Sequence, residues 1–129
     1  MKLLLDTCTF LWLIADARRL PAPVVERFKR PDTEVYLSAA SAWEIALKHA
    51  LGKLPLEEAP QRLVPAQRDA HGISALAIDE ESALHLSRLP ALHRDPFDRL
   101  LVSQAIVHGL TILTPDPLIT QYPARTWWG

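Results

Sequence analysis

The sequence predicts an α/β fold in which a parallel sheet carries helices on both faces. Three observations carry that reading. Short apolar runs rich in β-formers alternate with longer helical runs, the order expected when crossover helices join parallel strands. The first such run, KLLLD, is followed by a polar DT pair and then by a second, longer apolar segment. The composition, 49% apolar and 22% charged over 129 residues, is that of a globular chain with enough length to bury a core.

KLLLD is too short for periodicity to decide, and its context makes it a buried strand. Thr9 to Ala15 reads as the first helix. Pro21 and Pro23 break the chain, and PVVERFKR reads as a short amphipathic helix with proline at its start. EVYLS is the second strand. AASAWEIALKHALG is the clearest helix, stopped by Gly52. The proline-interrupted stretch from Leu54 to Gly72 is expected to form a short helix or two. ISALAI is the third strand. DEESALHLSRL opens with acids and runs helical, which suits the macrodipole. DPFDRLLVSQAIVHG is a further helix, closed by Gly109. LTILT is the fourth strand, DPLITQY a helical turn, and RTWWG a short edge strand. With no internal repeat, low-complexity run or linker, one domain over residues 1–129 is expected.

The formal net charge of -1 excludes a nucleic-acid partner held by bulk charge alone and asks for a local basic patch or a metal. The one cysteine, Cys8, cannot form an internal disulfide, so nothing points to secretion. The opening MKLLLDTCTFLWLIADARR is not a signal peptide, because Asp6, Thr7, Cys8 and Thr9 interrupt it and no small-residue cleavage site follows. No stretch reaches the length of a membrane span. A soluble cytoplasmic protein is expected.

The acids are the informative residues. Asp6 ends the first strand, and Asp116 follows the fourth by two residues. Sites in open parallel sheets form at the carboxyl ends of strands, so connectivity alone makes both candidates for one edge. On a helical wheel, Glu44 falls at the margin of a stripe expected to contain Ala40, Leu47 and Leu51. Asp98 lies within about 60° of Leu101, Val102 and Ala105. A carboxylate on an apolar stripe is costly unless it is paired or binds a cation. Each acid also has a structural reading. Glu44 could complete a capping box with Ser41 or pair with Lys48. Asp95 reads first as the N-cap of the following helix, with Pro96 at the first helical position. Asp6 could cap the first helix, and Asp116 could start a turn. Four structural readings that all fall where a parallel sheet gathers residues favour a shared site, with Asp95 starting the helix and Asp98 carrying chemistry.

The motifs LLLDTCTFLWLI, LSAASAWEIALKHALGKL, HRDPFDRLLVSQA and TILTPD, in that order over nearly the whole chain, resemble the PIN-domain fold. More narrowly they resemble the VapC-like ribonuclease toxins of bacterial type II toxin–antitoxin pairs. The resemblance implies an α/β/α sandwich on a central parallel sheet of four to five strands, and an acid cluster binding Mg²⁺ or Mn²⁺. It maps the metal-binding and catalytic acids onto Asp6, Glu44, Asp98 and Asp116. Thr114 matches a hydroxyl residue beside the last acid, and Thr7, next to Asp6, joins it in a supporting role. Asp95 belongs to the HRDPFDR signature and stays open as a ligand or only an N-cap. Relatives often carry His or Asn where this chain has Cys8, which is expected to be buried and inert.

Clustered carboxylates suit hard cations, and no Cys/His pattern suggests zinc. The expected reaction is hydrolysis of RNA phosphodiester bonds by a metal-activated water, with no side-chain nucleophile. Arg94, Arg99, Lys48 and Lys53 could contact phosphates, although ordinary solvated surface accounts for any one of them. His93, the only histidine near the site, is read as a loop residue ahead of a general base. The competing reading is a non-catalytic module whose acids only cap helices. A phosphotransfer domain using Asp6 would want an acid at position 8, where Cys8 stands.

The resemblance also implies a homodimer and a small antitoxin. Phe10 to Ile14 are consecutive apolar residues that no single helix face can bury, so part of that surface is expected to meet another chain. The segment from Leu54 to Pro65 could supply a groove beside it. A disordered basic tail could then place an Arg or Lys among Asp6, Glu44 and Asp98 and displace the metal.

Overall fold

The computed structural model describes residues Met1–Gly129. Five strands form one fully parallel sheet: β1 (Lys2–Leu5), β2 (Glu34–Ser38), β3 (Ser74–Leu76), β4 (Thr111–Leu113) and β5 (Thr126–Trp127). Their order is β3-β2-β1-β4-β5. The chain therefore builds outward from β1 in one direction, then returns and builds outward in the other. The switch point lies between β1 and β4, where crevices form in sheets of this kind.

Seven helices connect the strands: α1 (Thr7–Ala15), α2 (Ala22–Phe28), α3 (Ala39–Ala50), α4 (Pro60–Ala70), α5 (Glu80–His85), α6 (Pro96–His108) and α7 (Pro117–Thr120). The pleat of β1 explains why both faces need cover. Leu3 and Leu5 point into one core cluster with Phe10, Val24, Ile45 and Val64, whereas Leu4 points into the other with Leu101, Val102, Ala105 and Ile112. All three leucines are fully buried. Burying each contributes roughly 1.5–3 kcal/mol relative to exposure.

Several boundaries differ from expectation. Helix α1 begins at Thr7, not Thr9, because the Asp6 side chain accepts the Thr9 N–H and so fixes Thr7 as the first helical residue. Helix α2 begins at Ala22, with Pro21 at the cap and Pro23 inside the first turn. The stretch after Leu54 contains one helix, α4, that runs through Pro65. Buried Val64 anchors it to the core, so tertiary packing holds the turn that proline weakens. Strand β3 is shorter than ISALAI, and Ser74 and Ala75 in it are exposed, as an edge allows. The apolar row of α1 is covered more fully than its sequence suggests. Phe10 is buried, Leu11 to Ile14 pack partly buried against the first cluster, and Trp12 meets Trp128 edge-on at 5.9 Å. No helix is long and apolar enough to cross a membrane.

Candidate metal centre

The site starts at the switch point. The register pairs Leu5 with Leu113, so the next residues, Asp6 and Thr114, emerge side by side. Asp6 Oδ1 accepts the Thr9 N–H at 2.6 Å, and Thr114 Oγ1 donates to Asp6 Oδ2. The same Thr114 oxygen accepts the Asp116 N–H at 3.0 Å. Thr114 thereby ties the two strand-end acids together from beneath. Asp116 in turn caps α7, accepting the Leu118 N–H at 2.9 Å. The structural roles foreseen for Asp6 and Asp116 are thus present; the cap on Asp116 uses only Oδ1, whereas both oxygens of Asp6 accept a hydrogen bond.

Helix α3, capped by Ser38, contributes Glu44. The expected buried stripe was misplaced: Leu47 and Leu51 are 40% and 60% exposed, and the buried residues are Ala40, Ser41, Glu44 and Ile45. The helix packs on α4, α6, α1 and β2, and its buried face is centred near Ser41, with Glu44 and Ile45 about 60° and 40° to either side of it. Glu44 is therefore well inside the buried face, not at its margin. It forms no capping box with Ser41. Thr7 Oγ1 donates to Glu44 Oε1 at 2.7 Å and lies 2.9 Å from Ser41 Oγ, while Lys48 pairs with Glu44 Oε2.

Helix α6 supplies the rest. Asp95 Oδ1 accepts both the Phe97 N–H at 2.8 Å and the Asp98 N–H at 3.0 Å, so it is the N-cap as expected. Both bonds go to one oxygen, which leaves Oδ2 for another partner. Asp98 Oδ2 lies 3.0 Å from Nε2 of His93. His93 is in the loop before α6, as read, but its ring joins the acids; the histidine two residues ahead of Asp95 was the available signal. Its backbone is fixed, since the Tyr122 hydroxyl donates to the His93 carbonyl at 3.3 Å.

These groups line a cleft of about 210 Å³ formed by Asp6, Thr7, Cys8, Glu44, Lys48, His93, Asp95, Asp98, Asp116 and Leu118. All four principal acids meet there, together with Asp95, Thr7 and Lys48. Thr114 is buried behind them. Arg94 is exposed and outside the cleft. Arg99 is not free to bind phosphate. Its guanidinium donates to the Pro90 carbonyl, the Tyr122 hydroxyl and the Leu86 carbonyl, bracing the loop that carries His93. Cys8 is exposed at the cleft, not buried. Desolvation, then the carboxylates of Asp6 and Glu44, push its thiol above the ordinary range, which disfavours the thiolate.

Five carboxylates face one ammonium in this space. Desolvation raises Asp6 above the usual carboxylate range against its hydrogen bonds from Thr114 and Thr9. Desolvation also lifts Asp98 to about 6, helped by the charges of Asp95 and Glu44 and opposed by the His93 hydrogen bond. Acids held this way gain from a cation. The donor set is almost entirely oxygen, which fits Mg²⁺ or Mn²⁺. Ligand atoms of His93, Asp95 and Asp98 all lie within 4.8 Å of one another.

Residues 3–124 match the model of the PIN domain. Ribonuclease VapC16 of Mycobacterium tuberculosis is 38% identical over 73 residues. That match spans 57% of this chain and only half the length of the relative. Among solved structures, VapBC2 from Rickettsia felis, bound to a DNA fragment from their promoter, superposes with a TM-score of 0.74 at 15% identity over 98% of each chain. DNA-bound VapBC from Salmonella typhimurium gives 0.72 at 20% identity, covering 100% of this chain and 99% of that one. At these identities the likeness concerns the fold.

Proposed function

Because the chain belongs to the PIN domain family, we propose that it is a metal-dependent endoribonuclease, the toxin of a toxin–antitoxin pair, folded as one domain over residues 1–129. The observation that carries this is the convergence of Asp6, Glu44, Asp98 and Asp116 at the β1/β4 switch point. The matched ribonuclease, VapC16, supports RNA as substrate.

Asp6, Asp98 and Asp116 would hold the ion: the Asp116 cap uses only Oδ1, Asp98 is bonded only at Oδ2 by His93, and Asp6 would add a lone pair beyond its bonds from Thr9 and Thr114. Glu44 has both oxygens engaged by Thr7 and Lys48, and contributes negative charge until Lys48 moves aside. An Mg²⁺ or Mn²⁺ bound among them would supply positive charge beside the scissile phosphate and would lower the pKa of a water for attack on phosphorus. Thr114 holds Asp6 and Asp116 in register, and Thr7 orients Glu44. Lys48, released from Glu44, and exposed Arg94 reach backbone phosphates.

The partners we propose are RNA, a second copy of the chain and a small antitoxin with a basic disordered tail, in the cytoplasm. A cavity of about 320 Å³ between α1 and the Leu54–Gln67 segment, lined by Leu11, Ile14, Leu54, Leu56 and Leu63, supports an apolar docking segment. The acid cleft supports a cation on the tail that follows it. One observation favours a second reading: Asp6, Asp95 and Asp116 all cap helices, as a non-catalytic module would require. Cleavage of end-labelled RNA separates the two. Asp6→Asn and Asp98→Asn should each abolish cleavage with unchanged circular dichroism. Folded wild-type protein that leaves RNA uncut with Mg²⁺ or Mn²⁺ present would leave only the non-catalytic reading, and folded variants that cut at the wild-type rate would overturn the roles given to these acids.

A further inference from the structure

A metal centre built only from the four principal acids would be an all-oxygen site. The cleft contains one nitrogen donor as well. His93 Nε2 lies 3.0 Å from Asp98 Oδ2, and its side chain is 17% exposed, turned into the cleft and away from solvent. Nothing else in the protein bonds that ring. Asp95 lines the same cleft, with Oδ2 unused because Oδ1 takes both backbone caps. The ligand atoms of His93, Asp95 and Asp98 fall within 4.8 Å of one another. An ion held by all three would draw these atoms inward from their present separations. The loop is also built to hold the ring there. Tyr122 fixes the His93 carbonyl, and Arg99 ties Tyr122 to Pro90 and Leu86.

We propose that His93 is a nitrogen ligand of the divalent cation, acting with Asp95 and Asp98, and that it biases the centre towards Mn²⁺ over Mg²⁺. The inference rests on the metal-centre reading above. Mg²⁺ dehydrates reluctantly and takes oxygen ligands, whereas ions further along the first transition row accept imidazole. Asp95 is then both N-cap and ligand, one oxygen to each task.

The test uses the full chain with Mn²⁺ alone and no RNA. Electron spin-echo envelope modulation of bound Mn²⁺ should show coupling to a directly bonded imidazole ¹⁴N, and His93→Gln should remove it. No other histidine lines the cleft, so the signal has one source. Calorimetric titration should show His93→Gln weakening Mn²⁺ about tenfold or more while changing Mg²⁺ much less. His93→Asn, checked by circular dichroism, guards against a folding artefact. Mn²⁺ bound without nitrogen coupling, or equal losses for the two ions, would leave His93 as a hydrogen-bond partner of Asp98 and overturn the proposal while sparing the metal centre. Failure of wild type to bind Mn²⁺ at all would overturn both.

Discussion

Replacing Asp98 with Asn should stabilise the metal-free protein, and only above a defined pH. Asp98 is raised from 3.8 to about 6 in the folded state, chiefly by desolvation. Below about pH 4 the carboxyl is protonated in both folded and unfolded chains, and the aspartate costs nothing. Between about 4 and 6 the unfolded chain releases its proton while the folded chain keeps it, so stability falls. Above about 6 the penalty is complete. A shift of about two units corresponds to at most roughly 3 kcal/mol. Asparagine removes the charge but weakens the bond from His93 by about 1 kcal/mol, so a net gain of about 1–2 kcal/mol is expected. Urea unfolding followed by tryptophan fluorescence, in EDTA at pH 4 and pH 7.5, measures it. At a slope of about 2 kcal/mol per molar urea, the midpoint at pH 7.5 should rise by roughly 0.5–1 M, with little difference at pH 4. Adding Mg²⁺ should reverse the order, because only the wild type keeps its full ligand set. A variant that is less stable at pH 7.5, or equally shifted at both pH values, would refute the reasoning.

Other perturbations have separate signatures. Thr114→Val deprives Asp6 and the Asp116 N–H of a partner in a buried place; it should cost about 1–3 kcal/mol and weaken Mn²⁺ binding in calorimetry. Asp95→Ser should change thermal stability by only a few tenths of a kcal/mol and Asp95→Ala by about 1, but both should weaken Mn²⁺ binding if Oδ2 is a ligand. Arg99→Ala should lower the urea midpoint by removing three braces, whereas Arg94→Ala should leave it unchanged and weaken RNA binding in a filter assay, more so at low salt.

The fold was legible because its signals are local. Alternation of runs, Gly52 and Gly109 as helix stops, and strand-end acids located the elements to within a few residues. The site was legible because connectivity gathers strand ends: Asp6 and Asp116 needed no side-chain geometry. What the sequence could not supply was the angle at which helices pack. The wheel for α3 used Leu47 and Leu51, which are apolar but exposed, and so misplaced the stripe around Glu44. Arg99 looked like a phosphate contact because charge is visible in sequence and three carbonyl and hydroxyl partners are not. The contact of His93 with Asp98 was invisible for the same reason: it needs a loop that is tied at the His93 carbonyl by Tyr122, 29 residues away. The four acids singled out in the sequence do line one cleft, and two of them, Asp6 and Asp116, also cap helices, a structural role that sequence alone could not separate from a chemical one.

The central claim, that a bound cation at this acid cluster drives hydrolysis by water, is tested most directly by the ends of the cut RNA. Purified protein is incubated with end-labelled RNA in excess EDTA, then with Mg²⁺ or Mn²⁺ added beyond the chelator. The account predicts no cleavage in the first condition. In the second it predicts fragments without 2′,3′-cyclic phosphate, because water and not the neighbouring 2′-hydroxyl attacks phosphorus. Cleavage that persists in chelator, or fragments ending in 2′,3′-cyclic phosphate, would contradict it.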